Sequence, residues 1–180
     1  MTSPDGVNWT ARTTPADLVW RSVVHAPALG LFVAVASDAV AGQVMTSPDG
    51  ITWTQITVPI NNAWRSVCWA PELSLLVATA SSGTGNRVMT SPDGINWTIR
   101  TSAADNAWVG LVWSAEAGLL VAVANSGTGN RVMTSPDGLA WTARASAANN
   151  SWSGVEWSPS LTKFVAVSTT GTGNRAMTSL

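Results

Sequence analysis

A period of 44 residues runs through the whole chain and limits its fold more than any other property. The hexapeptide Met-Thr-Ser-Pro-Asp-Gly begins at residues 1, 45, 89 and 133, and Met-Thr-Ser returns at residue 177. Four copies follow, over residues 1–44, 45–88, 89–132 and 133–176, with a last segment at 174–180. A repeat of about 20 to 50 residues is typical of propellers, solenoids and arrays built from one small unit per copy.

Tryptophan fixes the register of the copies. The chain has eleven Trp, two Phe and no Tyr, and Trp returns at fixed positions in each copy. The three columns are Trp9, Trp53, Trp97 and Trp141; Trp20, Trp64, Trp108 and Trp152; and Trp69, Trp113 and Trp157, with His25 in the first copy. Repetition at fixed strand positions favours packing between units over stacking platforms for sugars.

Each copy is predicted to hold four short β-strands and no helix. In the third copy these are A (AWVGLVWSA), B (LLVAVANS), C (RVMTS) and D (INWTIR). Strands A and B are apolar on both faces, which is typical of strands covered on both sides. The connections are short, so the four strands are expected to form an antiparallel meander.

The SPDG segment predicts the tight hairpin between strands C and D. Proline fixes φ at the first turn position, aspartate accepts hydrogen bonds from nearby amides, and glycine takes the left-handed conformation. All four copies carry this segment.

Four-stranded antiparallel sheets repeated around an axis form a β-propeller, and we predict such an all-β domain over residues 1–180. The alternatives are a β-trefoil, which needs three copies, and a solenoid, which usually has shorter repeats and capped ends. The first D strand has no C strand before it, and the last C strand has no D strand after it. We therefore predict that Val7–Arg12 pairs with Arg175–Ser179 and closes the ring. A four-bladed monomer and an eight-bladed homodimer with exchanged termini both satisfy this pairing.

The turn segments SPDGVNW, SPDGITW, SPDGINW and SPDGLAW resemble the Asp-box, the Ser-x-Asp-x-Gly-x-Thr-Trp hairpin of sialidase-type propellers and of BNR-like repeat proteins in bacteria and phages. Asp and Gly are adjacent here, one residue closer than in that pattern, and Thr precedes Trp only at Thr52. The resemblance implies a propeller in which the turn aspartates are structural and lie away from the active face. These residues are Asp5, Asp49, Asp93 and Asp137.

Several kinds of chemistry are disfavoured by the residues present. Sialidases use a Tyr nucleophile, and this chain has no Tyr. Glycoside hydrolysis needs two facing carboxylates; Glu156, which replaces Val24, Cys68 and Val112, is expected to be a solvated residue facing the channel. A hydrolase using Glu156 is therefore the third-ranked function. His25 and Cys68 are expected to be packing residues.

Composition narrows the expected partners and location. The net charge of −1 supplies no basic field for nucleic acid or anionic membranes. A single cysteine forms no internal disulfide, and neither a metal site nor a cofactor is expected. No apolar run is long enough to cross a bilayer and no signal peptide is visible, while the Ser/Thr/Asn-rich composition suits an extracellular or virion-associated protein.

Strand direction places the loops that enter strands A and C on one side of the sheet array. Amide and guanidinium groups gather on those loops, and such groups recognise hydroxyls and carboxylates. The candidate ligand-binding residues are Asn62, Asn86, Arg87, Asn106, Asn130, Arg131, Asn150, Asn174 and Arg175. Turn formation by the same Gly and Asn residues is an equally open interpretation.

The sequence therefore predicts a non-enzymatic binding module with repeated polar loops, suited to multivalent, lectin-like recognition of glycans. The alternative is a structural scaffold whose faces or edges dock another protein, for example in a virion or at a cell surface.

Overall fold

The computed structural model describes residues 1–179 and shows an all-β chain of fifteen strands. The segment predicted at 174–180 thus extends by its final residue outside the described part. Strands at position A are β1 (Trp20–Ala26), β5 (Trp64–Ala70), β9 (Trp108–Ser114) and β13 (Trp152–Ser158). Strands at position B are β2 (Leu31–Ala36), β6 (Leu75–Ala80), β10 (Leu119–Ala124) and β14 (Lys163–Ser168). Strands at position C are β3 (Val44–Ser47), β7 (Val88–Ser91), β11 (Val132–Ser135) and β15 (Ala176–Thr178). Strands at position D are β4 (Thr54–Ile56), β8 (Thr98–Arg100) and β12 (Thr142–Arg144).

The strands form four separate antiparallel sheets, each a meander in chain order. Sheet 1 contains β1–β4, sheet 2 contains β5–β8, sheet 3 contains β9–β12, and sheet 4 contains β13–β15. The predicted period and strand order are confirmed. The pairing register also repeats: Cys68 lies opposite Val77 in sheet 2, and Glu156 lies opposite Val165 in sheet 4.

One prediction about local structure was wrong, because two short helical turns are present. Pro27–Leu29 and Pro71–Leu73 each form one turn of 3-10 helix between strands A and B. Proline suits the first position of such a turn, since its φ is already set and it has no N–H to satisfy. No helix within residues 1–179 has the length and apolar character that a membrane crossing requires.

The sheets stack face to face in a row, with β1 against β5, β5 against β9, and β9 against β13. Each sheet therefore has a front face, turned to the preceding sheet, and a back face, turned to the next one. On sheet 2 the front face carries Trp64 and Leu76, packed with sheet 1. The back face carries Cys68 and Val77, packed with sheet 3.

The second Trp column fills these interfaces. Trp64, Trp108 and Trp152 are fully buried, each on the front face of its sheet. Because an indole buries more apolar area than most side chains, this column supplies a large share of the packing between sheets. The prediction that this column packs between units is confirmed for these three residues, whereas Trp20, on the first sheet, is half-buried.

Small residues let neighbouring A strands approach closely. A Cβ atom on Gly110 would lie 2.9 Å from Val123 Cγ2 and 3.3 Å from the Cα atom of Gly154. In the first two sheets the equivalent residue is serine, and the Ser22 hydroxyl accepts a hydrogen bond from the Val67 amide at 3.3 Å. Small side chains at this position therefore allow the A strands of adjacent sheets to lie close together.

The predicted pairing of Val7–Arg12 with Arg175–Ser179 is not formed within the chain, and this expectation is corrected. Among residues 1–179, strand β15 pairs with β14 alone, whereas Thr2 and Thr10 pair with each other in a hairpin of their own. The reason is that Met1–Ser3 repeats the sequence of strand C, so the first D strand finds a C partner a few residues away. Closing such a short loop costs less entropy than joining the two ends of the chain.

The N-terminal hairpin (residues 1–12) packs on the front face of sheet 1. A Cβ atom at Gly50 would lie 3.5 Å from Thr2 Cγ2, just as one at Gly94 would lie 3.6 Å from Thr46 Cγ2. The hairpin therefore occupies the place that a preceding sheet's C–D hairpin would take.

Candidate functional site

The four SPDG hairpins are structural turns. In the third, Asp93 Oδ1 accepts the amides of Ile95 at 2.8 Å and Asn96 at 2.7 Å. The Ser91 hydroxyl accepts the amide of Gly94 at 2.8 Å, and Gly94 has a φ of 76°. These hydrogen bonds lower the pKa of Asp93 to about 2. The carboxylate of the SPDG aspartate is therefore engaged by hydrogen bonds inside its own turn.

The same bonding lowers the pKa of the aspartates in the other three hairpins. Backbone amides are the main cause in each, and they favour the ionised carboxylate. These residues are Asp5, Asp49 and Asp137.

The predicted binding asparagines do meet on one side of the sheet array, but they bind one another. Asn62 Nδ2 donates to the backbone oxygen of Asn86 at 3.0 Å and to its Oδ1 at 3.1 Å. The same pairing joins two further pairs, Asn106 with Asn130 and Asn150 with Asn174. The first member of each pair is buried. These side-chain amides therefore link the loop before strand A to the loop before strand C.

The predicted arginines close their own loops. Arg87 Nε donates to the Gly83 carbonyl at 2.9 Å and its Nη1 to the Ser81 carbonyl at 3.0 Å. Arg131 and Arg175 repeat the Nε contact, with the carbonyls of residues 127 and 171, at 2.8 and 2.7 Å. The guanidinium groups thus stabilise the turns from which they project.

Glycine is required where the amide pair passes beneath the loop. A Cβ atom on Gly83 would lie 2.2 Å from Asn86 Oδ1 and 2.5 Å from Asn62 Nδ2, and its φ is 103°. Both the space and the backbone conformation exclude a larger residue.

A cavity that the sequence analysis did not predict lies on the same side, where all four sheets meet. This central cavity has a volume of about 330 Å³ and is lined by residues from all four sheets and their loops: Arg21, Arg65, Val109, Asn125, Ser151, Ser153 and Thr169. Arg21 and Arg65 are the second residues of strands β1 and β5. The pairing register shifts beside each of them, between residues 20 and 22 and between 64 and 66. Such a bulge redirects a side chain away from the sheet face.

The central cavity has positive charge without a counter-charge. None of its lining residues is acidic, and within residues 1–179 neither guanidinium has a carboxylate in salt-bridge range. Arg21 Nε donates to the Ser37 hydroxyl at 2.9 Å, which fixes one side chain. Burial, and then the neighbouring charge of Arg21, lower the pKa of Arg65.

A sequence signal for this site exists. The tetrapeptide Trp-Arg-Ser-Val occurs at residues 20–23 and 64–67, with a charged residue inside an otherwise apolar strand. The third and fourth copies have Val109 and Ser153 at this position, so the charge is confined to half of the cavity wall.

Glu156 does not face the channel, and that expectation is corrected. Its equivalent Cys68 packs against sheet 3, so Glu156 lies on the exposed back face of sheet 4. Cys68 itself is a half-buried packing residue, and burial raises the pKa of its thiol to about 12. His25 is exposed, and the centroids of its ring and of the Phe32 ring are 4.6 Å apart.

The Trp column that contains His25 ties neighbouring sheets together on the SPDG side. Trp113 Nε1 donates to Glu72 at 2.6 Å, and Trp157 Nε1 donates to Glu116 at 2.9 Å. The carboxylates of Glu72 and Glu116, which lie outside the SPDG turns, therefore form hydrogen bonds between neighbouring sheets. Within residues 1–179, no three His, Cys, Asp or Glu side chains gather as a metal site would require.

A second concavity separates sheets 3 and 4. This open groove has a volume of about 730 Å³ and is mainly apolar; its walls include Leu119, Val121, Val155, Trp157, Phe164 and Met177.

No protein-family model matches the chain, and no curated protein matches it. Several solved structures are similar to it. A chain of the nidogen/laminin complex has a TM-score of 0.63 at 14% identity, over 84% of this chain and 57% of that one. YCF48 from Cyanidioschyzon merolae has a TM-score of 0.66 at 15% identity, over 92% of this chain and 54% of that one. All of these are β-propeller proteins. This chain has a β-propeller fold.

A third similar structure is a catalytically inactive virginiamycin B lyase from Staphylococcus aureus with quinupristin. It gives a TM-score of 0.65 at 13% identity, over 92% of the propeller described here and 56% of the lyase chain. The propeller spans slightly more than half the length of these three chains. At such identities the likeness concerns the fold alone.

Proposed function

We propose that this propeller is a non-enzymatic binding module that takes an anionic, hydroxyl-rich ligand, such as a carboxylate-bearing glycan, in its central cavity. The observation that carries the proposal is the pair Arg21 and Arg65, which line one cavity with no acidic residue beside them. Uncompensated guanidinium groups in a concave site attract an anion.

The remaining lining residues suit a sugar. Arginine binds a carboxylate through two parallel N–H donors. Asn125, Ser151 and Thr169 add an amide and two hydroxyls, groups that both donate to and accept from sugar hydroxyls. A uronate or a sialate carries both functional groups in one ring.

The repeated Asn/Arg loops have a supporting role in this proposal. Their donors are engaged within the loops, so they set the height and shape of the cavity rim instead of forming three separate sites. Catalysis is not part of the proposal, because glycoside hydrolysis needs two carboxylates and the cavity lining has none.

A glycan array that pairs uronate- or sialate-terminated oligosaccharides with neutral counterparts tests this function. We expect signal on the acidic members only, and calorimetry with the best of them should show binding that weakens with added salt. The double variant Arg21→Gln/Arg65→Gln should lose at least tenfold in affinity.

Arg100→Gln/Arg144→Gln is the matched control. It removes the same two charges from strands β8 and β12, where the Nε atoms contact the hydroxyls of Thr90 and Thr134 at 3.0 and 2.9 Å, away from the lining of the central cavity. Unchanged affinity in the Arg21/Arg65 double variant, or equal losses in the control, would refute the central cavity as the binding site.

An assembly scaffold is the second candidate, and the open groove between sheets 3 and 4 favours it. An apolar groove of about 730 Å³ on the surface is typical of a site for another polypeptide.

A further inference from the structure

The open groove differs from the other interfaces by one missing strand. Between sheets 1 and 2 the corresponding space holds Trp97, which follows the SPDG turn of sheet 2 and is 6% exposed. Between sheets 2 and 3 it holds Trp141. Both tryptophans immediately precede a D strand, and sheet 4 has no D strand in the described residues. An indole carried beside a D strand is thus what fills this space.

A strand of the right sequence lies in the N-terminal hairpin. Residues 7–12 read VNWTAR, against LAWTAR at 139–144, and Trp9 is the equivalent of Trp97 and Trp141. Trp9 is 57% exposed and Val7 is 79% exposed. The side chain that seals the other interfaces is therefore available.

The two sheet faces at the ends of the row carry polar residues at corresponding positions. In the interior, the residue equivalent to Glu156 shares a cluster with the Trp equivalent to His25: Cys68 with Trp113. Docking the back face of sheet 4 on the front face of sheet 1 in the same geometry brings Glu156 to His25. At these positions the last and first copies depart from the apolar pattern of the other copies.

A second polar replacement fits the same contact. Lys163 stands where the other copies have leucine, such as Leu75. A Cβ atom at Gly138, in the SPDG turn of sheet 3, would lie 2.9 Å from Leu75 Cδ2. By this equivalence Lys163 would lie beside the SPDG turn of sheet 1, which carries the carboxylate of Asp49.

Hydrogen bonding also favours the exchange of partners. The N-terminal hairpin holds a single bridge, between Thr2 and Thr10, with two hydrogen bonds of 2.9 and 2.8 Å. Each complete C–D pair holds three paired positions, such as those of β7 with β8. Moving the D strand from Met1–Ser3 to β15 replaces the short pairing by the longer one and covers the exposed edge.

We propose that two copies of this chain join head to tail into one ring, in which Val7–Arg12 of each copy becomes the fourth strand of the other copy's sheet 4 and Trp9 enters its open groove. A second copy is the chosen occupant because the N-terminal hairpin sits on sheet 1, at the opposite end of the row from sheet 4.

Sedimentation equilibrium across a concentration series tests the assembly. We expect a mass of twice 18.7 kDa at high concentration and dissociation on dilution. Trp9→Ala and Glu156→Lys should each raise the dissociation constant at least tenfold, and adding His25→Glu to Glu156→Lys should restore part of the loss. Asp17→Lys is an exposed charge reversal outside these contacts and should leave the mass unchanged. A single-chain mass at all concentrations, or assemblies larger than two chains, overturns the proposal.

Disulfide trapping shows which chain supplies the strand. Thr46 pairs with Thr54 and Thr90 with Thr98, so Thr178 should lie opposite Thr10 of the other copy. In a Cys68→Val background, Thr10→Cys/Thr178→Cys is expected to oxidise to a covalent dimer. Thr2→Cys/Thr10→Cys, which pairs within the hairpin, is the control that yields a cross-linked monomer in the unassembled chain. A cross-linked monomer from the 10/178 pair would mean that the chain's own terminus fills the groove, and no cross-link would mean that nothing does; either contradicts the two-copy ring.

Discussion

The interface between sheets 1 and 2 is sealed and the one between sheets 3 and 4 is open, although equivalent strands form both. In the sealed interface Trp97 joins Leu76 and Met89 in a continuous buried cluster. In the open one the equivalents of the last two, Phe164 and Met177, line a groove. The comparison indicates that the indole beside the D strand closes the interface, because the first three strands alone leave the groove unfilled.

The largest effect is expected when the sealed interface is opened by mutation. Trp97→Ala should lower the free energy of unfolding by about 3–5 kcal/mol, since it leaves a cavity where a buried indole was. Urea unfolding of dilute protein measures this value. Trp9→Ala is the matched control, because Trp9 is 57% exposed and should cost far less in the single chain. Equal losses would show that the two hairpins are not in different environments.

A second pair of substitutions makes the same comparison on the strands at position B. Leu120 is fully buried on the front face of sheet 3, and Phe164 is its half-buried equivalent on sheet 4. Leu120→Ala should cost about 3 kcal/mol, and Phe164→Ala about half of that, because the groove already leaves one side of Phe164 without neighbours. Thermal unfolding distinguishes the two variants. A larger loss at Phe164 would contradict the open groove.

The turn that holds Trp97 should respond to acid. Asp93 has a pKa of about 2, against 3.8 in a model compound, because amides bond its ionised form. Its stabilising contribution is therefore full above about pH 4 and is lost as the pH falls towards 2. Asp93→Asn should cost about 1 kcal/mol at neutral pH and reduce the loss of stability between pH 4 and 2. An unchanged acid profile in the variant would assign that pH dependence to other groups.

The smallest effect is expected at Cys68, on the sealed side between sheets 2 and 3. Cys68→Val should change the free energy of unfolding by less than about 1 kcal/mol, because valine occupies the same position in sheets 1 and 3. The native thiol should resist alkylation at pH 8, since burial raises its pKa to about 12. Rapid labelling of the folded protein would show that this interface opens.

Much of the fold was readable from the repeat. The 44-residue period, the four strand positions and the turn roles of Asp93 and Gly94 all follow from local sequence that recurs in register. The pairing of the termini did not follow, because Met1–Ser3 duplicates strand C and the sequence offers the D strand two equal partners. Only the energetics of loop closure distinguishes them.

The sequence places its candidate binding residues on the side of the molecule where the central cavity lies, and the structure shows that their donors form hydrogen bonds within and between the loops. Asn62 and Asn86 are 24 positions apart, so no local pattern reveals that they satisfy each other. Regular alternation would place Arg21 and Arg65 on a sheet face, so the sequence alone does not predict that they line a cavity. The bulge beside each one, which the sequence does not signal, turns them into the central cavity.

The close backbone approach at Gly110 and Gly154 has a geometric consequence for any assembly of this chain. A head-to-tail interface forms a closed ring only when a whole number of rotations between successive chains makes 360°. With any other rotation, each added chain leaves an unpaired interface and the assembly grows as a filament. The width of these two residues helps to set that rotation. A methyl group added at position 110 would therefore change the rotation between sheets 3 and 4, and with it whether the chains form a closed ring or a filament.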